Sequence, residues 1–172
     1  MTSVLKVDNI QNSSGTDALS IDSNGVVSFP NTAVPAFRVG LLTNQTETSA
    51  GLKTVHWDET DTHNCFLNGG VTNSSGVITV PTAGIYQFNA TMRVNAIGSG
   101  YIELRIKVNN VNLGNDVTYV LNGSPDSSYD NLTGSDVFKL DANDNIRVQI
   151  YSSGDTSWNI GANSIFSGTR IG

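Results

Sequence analysis

Cysteine occurs once in the 172 residues, at Cys65, so neither an intramolecular disulfide framework nor a thiolate metal cage can be built. Charge is scarce as well. Charged residues make up 14% of the chain, and the nine Lys and Arg stand singly from Lys6 to Arg170 in a molecule of net charge -6. Nucleic-acid affinity needs cations gathered on one face, so no nucleic-acid partner is expected. No apolar run approaches the length that spans a bilayer, and no membrane insertion is expected. The opening MTSVLKVDNI has neither a basic n-region nor an apolar h-region, so export by a signal peptide is not expected. Without it, the Asn-x-Ser/Thr matches at Asn12, Asn44, Asn73, Asn89, Asn122 and Asn131 read as chance in a chain rich in these residues.

Helical periodicity is also missing, and turn residues interrupt every stretch within about a dozen positions. Period two is present instead. In GIYQFNATMRVN, Tyr86, Phe88, Ala90, Met92 and Val94 fall on one side and Gln87, Asn89, Thr91, Arg93 and Asn95 on the other. YIELRIKVN repeats this with Ile102, Leu104, Ile106 and Val108 inward, and NIRVQIYS with Ile146, Val148 and Ile150. Further strands are expected at 36–42, 53–57, 77–80, 117–121, 136–140 and 164–171. Many short strands, each with one buried face, predict two stacked antiparallel sheets, with a closed barrel as the alternative.

Pro30 and Pro35 cannot donate to a sheet ladder, which makes FPNTAVP a stiff connector and divides the chain into residues 1–34 and 35–172. Within the first part, ALSIDSNGVVSFPN predicts a hairpin turning at Asp22-Ser23-Asn24-Gly25. Leu5-Lys6-Val7-Asp8 and Leu19-Ser20-Ile21-Asp22 repeat one another weakly, as paired β-units would.

No catalytic constellation stands out. HWDETDTHNC gathers His56, Asp58, Glu59, Asp61, His63 and Cys65, but two His seven apart match no helical zinc site and one Cys completes no cage. A solvated loop is the preferred reading over a divalent-cation site. His63 and Cys65 lie two apart, with no third residue in sequence to orient the imidazole, so a structural Cys is favoured. The carboxylate pairs Asp141/Asp144 and Asp126/Asp130 are explained by Asx-turns more simply than by glycosidic chemistry. The reading is therefore no enzyme, no cofactor and no metal. The loops 114–119, 123–131 and 152–158 place Tyr119, Tyr129 and Trp158 among short polar residues, a composition suited to saccharide contacts.

Three stretches in the body, TNSSGVITVPTAGIYQFNA (72–90), LDANDNIRVQI (140–150) and SIFSGTRI (164–171), resemble in order and spacing the C1q-like domain of the C1q/TNF superfamily. The resemblance implies a ten-stranded antiparallel jelly-roll sandwich that forms homotrimers and binds ligands. It also implies that outward strand positions are buried between chains, with Phe37, Leu42, Tyr101 and Phe166 as the expected trimer-interface residues. The segment LKVDNIQNSSGTDALSIDSNGVVSFPNT resembles the leaders of tailed-bacteriophage fibre proteins, marine and cyanobacterial phages in particular.

Together these resemblances imply a structural virion protein: a short trimeric fibre or appendage, assembled in the host cytoplasm and residing in the virion. Residues 1–34 would be its β-arm and trimer stalk, docking onto other virion proteins of tail or capsid through Leu5, Val7, Ile10, Leu19, Ile21, Val26 and Phe29, while the head meets a host-surface glycan. A capsid head-fibre or decoration protein and a secreted C1q-like lectin are the alternatives.

Overall fold

The computed structural model describes residues 7–11, 13–15, 17–28, 34–96, 100–109, 117–122, 130–154 and 157–172. Among these residues every regular element is a strand. The chain divides into two compact units, Met1–Ala33 and Val34–Gly172.

In the first unit, β1 (Asn9–Gln11), β2 (Asp17–Ile21) and β3 (Val27–Ser28) form an antiparallel sheet in that order. The expected hairpin is present, with Ser20 opposite Ser28 and Ile21 opposite Val27. Asp22 builds its turn: Oδ1 accepts the amides of Asn24 at 2.9 Å and Val26 at 2.8 Å. Gly25 supplies the left-handed φ of 80° that the turn requires and that other residues resist. The earlier half of the unit contributes β1, and the Asp8 carbonyl accepts the Ile21 amide at 2.8 Å. Leu19 and Ile21 are half-buried, whereas Val7, Ile10, Val26 and Val27 are exposed. Leu5 and Phe29 lie outside the described residues.

The second unit is a sandwich of two sheets. One contains β4 (Ala36–Gly40), β5 (Gln45–Glu47), β7 (Phe66–Asn68), β10 (Gly84–Ala96), β13 (Asp130–Leu140), β15 (Trp158–Ile160) and β16 (Ile165–Arg170). Its order is β5-β15-β10-β16-β4-β7, with β13 also paired to β10. The other contains β6 (Gly51–Thr54), β8 (Thr72–Ser74), β9 (Val77–Thr79), β11 (Tyr101–Val108), β12 (Val117–Asn122) and β14 (Asn145–Ser152). It runs β12-β11-β14-β9-β8, with β6 also paired to β14.

The second unit has thirteen strand segments among the described residues, against the ten strands expected, and two pairs of them share one side of a longer strand. Along β14 the neighbour is β9 at 145–147 and β6 at 149–152, and along β10 it is β16 at 86–91 and β15 at 94–96. β13 begins at Asp130, ahead of the expected 136. Its added half, DNLTGS, is polar except for Leu132, and Gly134 takes an inward place where sequence shows no apolar side chain.

Alternation places one face of each sheet in a shared core that contains Val39, Phe88, Met92, Leu104, Ile106, Ile146, Val148 and Ile150. Burying such side chains contributes about 1.5–3 kcal/mol each. Phe37 and Phe166, expected at outward positions, belong to this core instead, 2% and 0% exposed. Phe88 stacks on Phe166 at 5.8 Å between centroids. The alternation of β4 runs through Phe37 and Val39 inward, and that of β16 through Phe166 and Gly168, so the outward positions are their neighbours.

Candidate functional site

The outward face of the sheet containing β10 is a regular grid. Across it, Arg38 stands opposite Ser167, Ser167 opposite Asn89 and Asn89 opposite Ser135; one step along, Ala36, Thr169, Gln87 and Val137 line up in the same way. The centre is amide and hydroxyl: Gln87, Asn89, Thr91, Thr133, Ser135, Ser167 and Thr169. Exposed Phe66, Ile85 and Val137 stand around it. In a chain with fifteen acidic residues, none occupies an outward position on β4, β10, β13 or β16. The charges present there are the cations Arg38, Arg93 and Lys139. Between Phe66, Arg38, Gln87 and Ser167 lies a shallow depression of about 320 Å³.

A second cleft of about 260 Å³ lies where β4 and β16 meet the turn at 59–65, walled by Leu41, Leu42 and Ile165 and carrying Arg38, Glu59, His63 and Cys65. Glu59 organises it. A bridge between Gly40 and Glu59 ties the segment to β4, and the buried carboxylate accepts the Thr62 amide at 2.7 Å, the Thr62 hydroxyl at 2.6 Å and the Asp61 amide at 3.2 Å. Bonds from Thr62, hydroxyl first and then amide, outweigh desolvation and hold the Glu59 carboxyl at about 2.

His63 Nδ1 lies 2.8 Å from the Thr62 hydroxyl and 3.1 Å from Glu59 Oε2. The Thr62 hydrogen is already donated to Glu59, so both contacts are satisfied when Nδ1 carries a proton. The imidazole therefore does have an orienting residue, one that sequence proximity to Cys65 does not reveal. His63 and Asn64 adopt left-handed φ of 49° and 62°, so the spacing of two from His63 to Cys65 crosses a turn and not a strand face.

Cys65 is buried, with Sγ 3.9 Å from Arg38 Nη1. Burial, above all, pushes its thiol up, which keeps it protonated at neutral pH and a poor nucleophile. Asp58 uses both oxygens on the preceding loop, accepting the Leu42 amide at 2.7 Å and the Thr43 hydroxyl at 2.9 Å. Among the described residues no group of three or more His, Cys, Asp or Glu is arranged to hold a metal ion. Asp144 also serves a turn, taking the Asp141 amide on Oδ2 and Asn109 Nδ2 on Oδ1.

The remaining site expectations separate in space. Leu42 is 52% exposed at the second cleft, while Tyr101 is 37% exposed on β11 of the other sheet, so the two do not share a face with one another. Trp158, expected on a ligand-contacting loop, is 1% exposed; it is β15's first residue and donates Nε1 to the Ser49 carbonyl at 3.1 Å. The Tyr119 side chain and Tyr129 lie outside the described residues. Sequence reading missed the acid-free face, although the absence of Asp and Glu from alternate positions of 84–96 and 131–139 was its available signal.

Two antiparallel sheets stacked in this order, without helices among the described residues, define a jelly roll of the C1q/TNF class. A crystal structure of murine APRIL at pH 8.0 superposes with a TM-score of 0.59 at 12% identity, covering 80% of this chain and 98% of that one. The structure of Eiger TNF from S. frugiperda gives 0.59 at 10% identity, covering 81% and 94%. No curated protein sequence matches. The family model for the C1q domain matches residues 36–170, and the chain belongs to that family. Domains of this C1q/TNF type are often trimeric and generally non-enzymatic.

Proposed function

We propose that the chain is a homotrimeric structural protein of a tailed-bacteriophage virion, a ten-stranded head on a short β-arm, without enzymatic activity. The observation that carries the trimer is the acid-free face. Protomers of net charge -6 repel one another, and they approach at least cost where each presents no carboxylate and a neutral polar centre. Rings of identical chains close when a surface meets a different surface of the next copy by a three-fold rotation.

The attachment role of residues 1–34 is supported by their resemblance to phage leaders and by their burial. None of the residues of this unit whose burial is described is fully buried, and a sheet this small is marginal without a partner. Exposed Val7, Ile10, Val26 and Val27 are the apolar positions for that partner. The head then meets host-surface glycan.

Mass photometry of the purified chain tests the assembly: a trimer at micromolar concentration is expected, and a stable monomer overturns it. Particle incorporation tests the arm. A chain lacking residues 1–34 is expected to stay out of virions, and its incorporation at full level overturns the attachment role. Label confined to capsid positions in intact particles would transfer the assignment from tail to capsid.

A further inference from the structure

We propose that Asn68 is a site of spontaneous deamidation, and that its conversion to a carboxylate takes from an unassembled protomer the capacity to join the trimer. The modification stands on the chemistry of the chain itself; its consequence rests on the trimer reading above.

Asparagine followed by glycine is the pair most open to this reaction, because glycine has no Cβ to shield its amide nitrogen and its backbone turns freely. The sequence holds three such pairs, Asn24-Gly25, Asn68-Gly69 and Asn122-Gly123. In the first, the attacking group is held: the Gly25 amide donates to the Asp22 carbonyl at 2.9 Å, and Asp22 Oδ1 takes the Asn24 and Val26 amides on either side. The Asn122 side chain and Gly123 lie outside the described residues.

Asn68 is set differently. It is the last residue of β7, and the chain leaves it for the other sheet through Gly69 and Gly70, both left-handed at φ 62° and 83°. This is the pattern of a type I′ turn, closed by the Val71 amide on the Asn68 carbonyl at 3.3 Å, longer than an ordinary backbone bond. The Asn68 side chain is exposed, and among the described residues no hydrogen bond fixes its carboxamide. Two glycines beyond an untethered asparagine give the Gly69 nitrogen the freedom to approach Cγ.

In the reaction the Gly69 amide gives its proton to base and its nitrogen attacks Asn68 Cγ. A C–N bond forms to close a cyclic imide, and the bond from Cγ to the side-chain nitrogen breaks as ammonia leaves with a proton from solvent. Water then opens the imide at one carbonyl or the other, giving aspartate or, with the main chain routed through Cβ, isoaspartate.

Position gives the change its effect. Asn68 stands opposite Ala36, and the same outward row continues through Thr169 and Gln87 to Val137. Conversion therefore places a carboxylate at the end of a row that crosses the acid-free face, in a molecule already at net charge -6. Isoaspartate also inserts a methylene into the main chain at a ladder pair of β7. Either product opposes the approach of a second acidic protomer, so chains that wait too long leave the assembling pool.

The test incubates the purified full chain at neutral and mildly alkaline pH, with peptide mass spectrometry for the amide-to-acid exchange, isoaspartyl methyltransferase labelling for isoaspartate, and mass photometry for assembly. Acid is expected to accumulate at Asn68 ahead of Asn24 and faster at the higher pH, with converted chains lost from the trimer. Asn68→Gln, which needs a larger ring to react, is expected to keep both amide and trimer. Asn68→Asp is expected to raise the concentration for half-assembly at least about tenfold while circular dichroism stays native. An Asn68 that keeps its amide while Asn24 converts overturns the site. Conversion that leaves the trimer intact, with Asn68→Asp assembling within about twofold of the native chain, overturns the coupling and leaves the trimer reading standing. A chain that is monomeric before any incubation overturns the trimer reading and with it the coupling, while mass spectrometry still decides the modification.

Discussion

The ring of Phe37 meets the ring of Phe166 edge-on between the two sheets, with centroids 5.0 Å apart and planes at 63°. Both side chains are core, and Phe166 also lies against Trp57 at 6.0 Å. Phe166→Ala is therefore expected to cost about 3–5 kcal/mol of folding stability, the range for losing a buried aromatic ring. Urea denaturation read by near-ultraviolet circular dichroism checks this. A variant with unchanged midpoint and altered oligomeric mass would return Phe166 to an interface role.

The misplacement of these two rings shows what period-two reading conveys and what it does not. Tyr86, Phe88, Met92, Leu104, Ile146, Val148 and Ile150 are legible as inward because their long strands repeat the alternation several times. In β4 and β16 the runs are short, and the trimer expectation favours outward aromatics there. The three-residue strands β5, β7, β8 and β15 carry too few alternations to be read at all. The Glu59 cluster is partly local in sequence, yet its meaning depends on the left-handed turn at His63 and Asn64 and on the bridge to Gly40, neither of which residue spacing specifies.

Glu59 gives a pH prediction. Its carboxyl stands at about 2 in the folded chain against an ordinary 4.5, so ionised Glu59 favours the folded state. The sign is that of a depressed acid: the contribution is complete above about pH 4.5 and is lost as pH falls toward 2. Thermal melts from about pH 6 to about pH 2 are expected to show a falling midpoint across that window in the native chain. In Glu59→Gln the melting temperature is expected to start lower at the neutral end and to fall less steeply on the acid side; a parallel pair of curves would refute the role given to this carboxylate.

Gly76 is expected to be among the least replaceable residues. Its φ is +83°, and a Cβ built there would stand 1.9 Å from the Val55 carbonyl oxygen, an atom of backbone that cannot rotate aside. Left-handed strain and the clash together are expected to cost about 3 kcal/mol or more in Gly76→Ala. Gly25→Ala supplies the comparison, since its φ is +80° but nothing lies within 4 Å of the added atom. Chemical denaturation of the two variants separates the clash from the dihedral strain; equal losses would mean that the Val55 approach contributes nothing.

The acid-free face gives the most direct test of assembly. Gln87 lies at its centre, opposite Thr169 on one side and Val137 on the other, and its exposed side chain leaves the core untouched. Gln87→Glu changes shape little but places one carboxylate per protomer on the surface proposed to close the trimer. In a ring closed by three-fold rotation each added carboxylate is set against a different surface of the next copy, so three charges are desolvated between protomers that already repel one another. The variant is expected to fold like the native chain, to dissociate at micromolar concentration near pH 7, and to regain the trimer as the carboxylates protonate below about pH 4 or as salt screens them. Mass photometry across pH and ionic strength reads each step. A variant that stays trimeric throughout would place the interface on a different face of the sandwich.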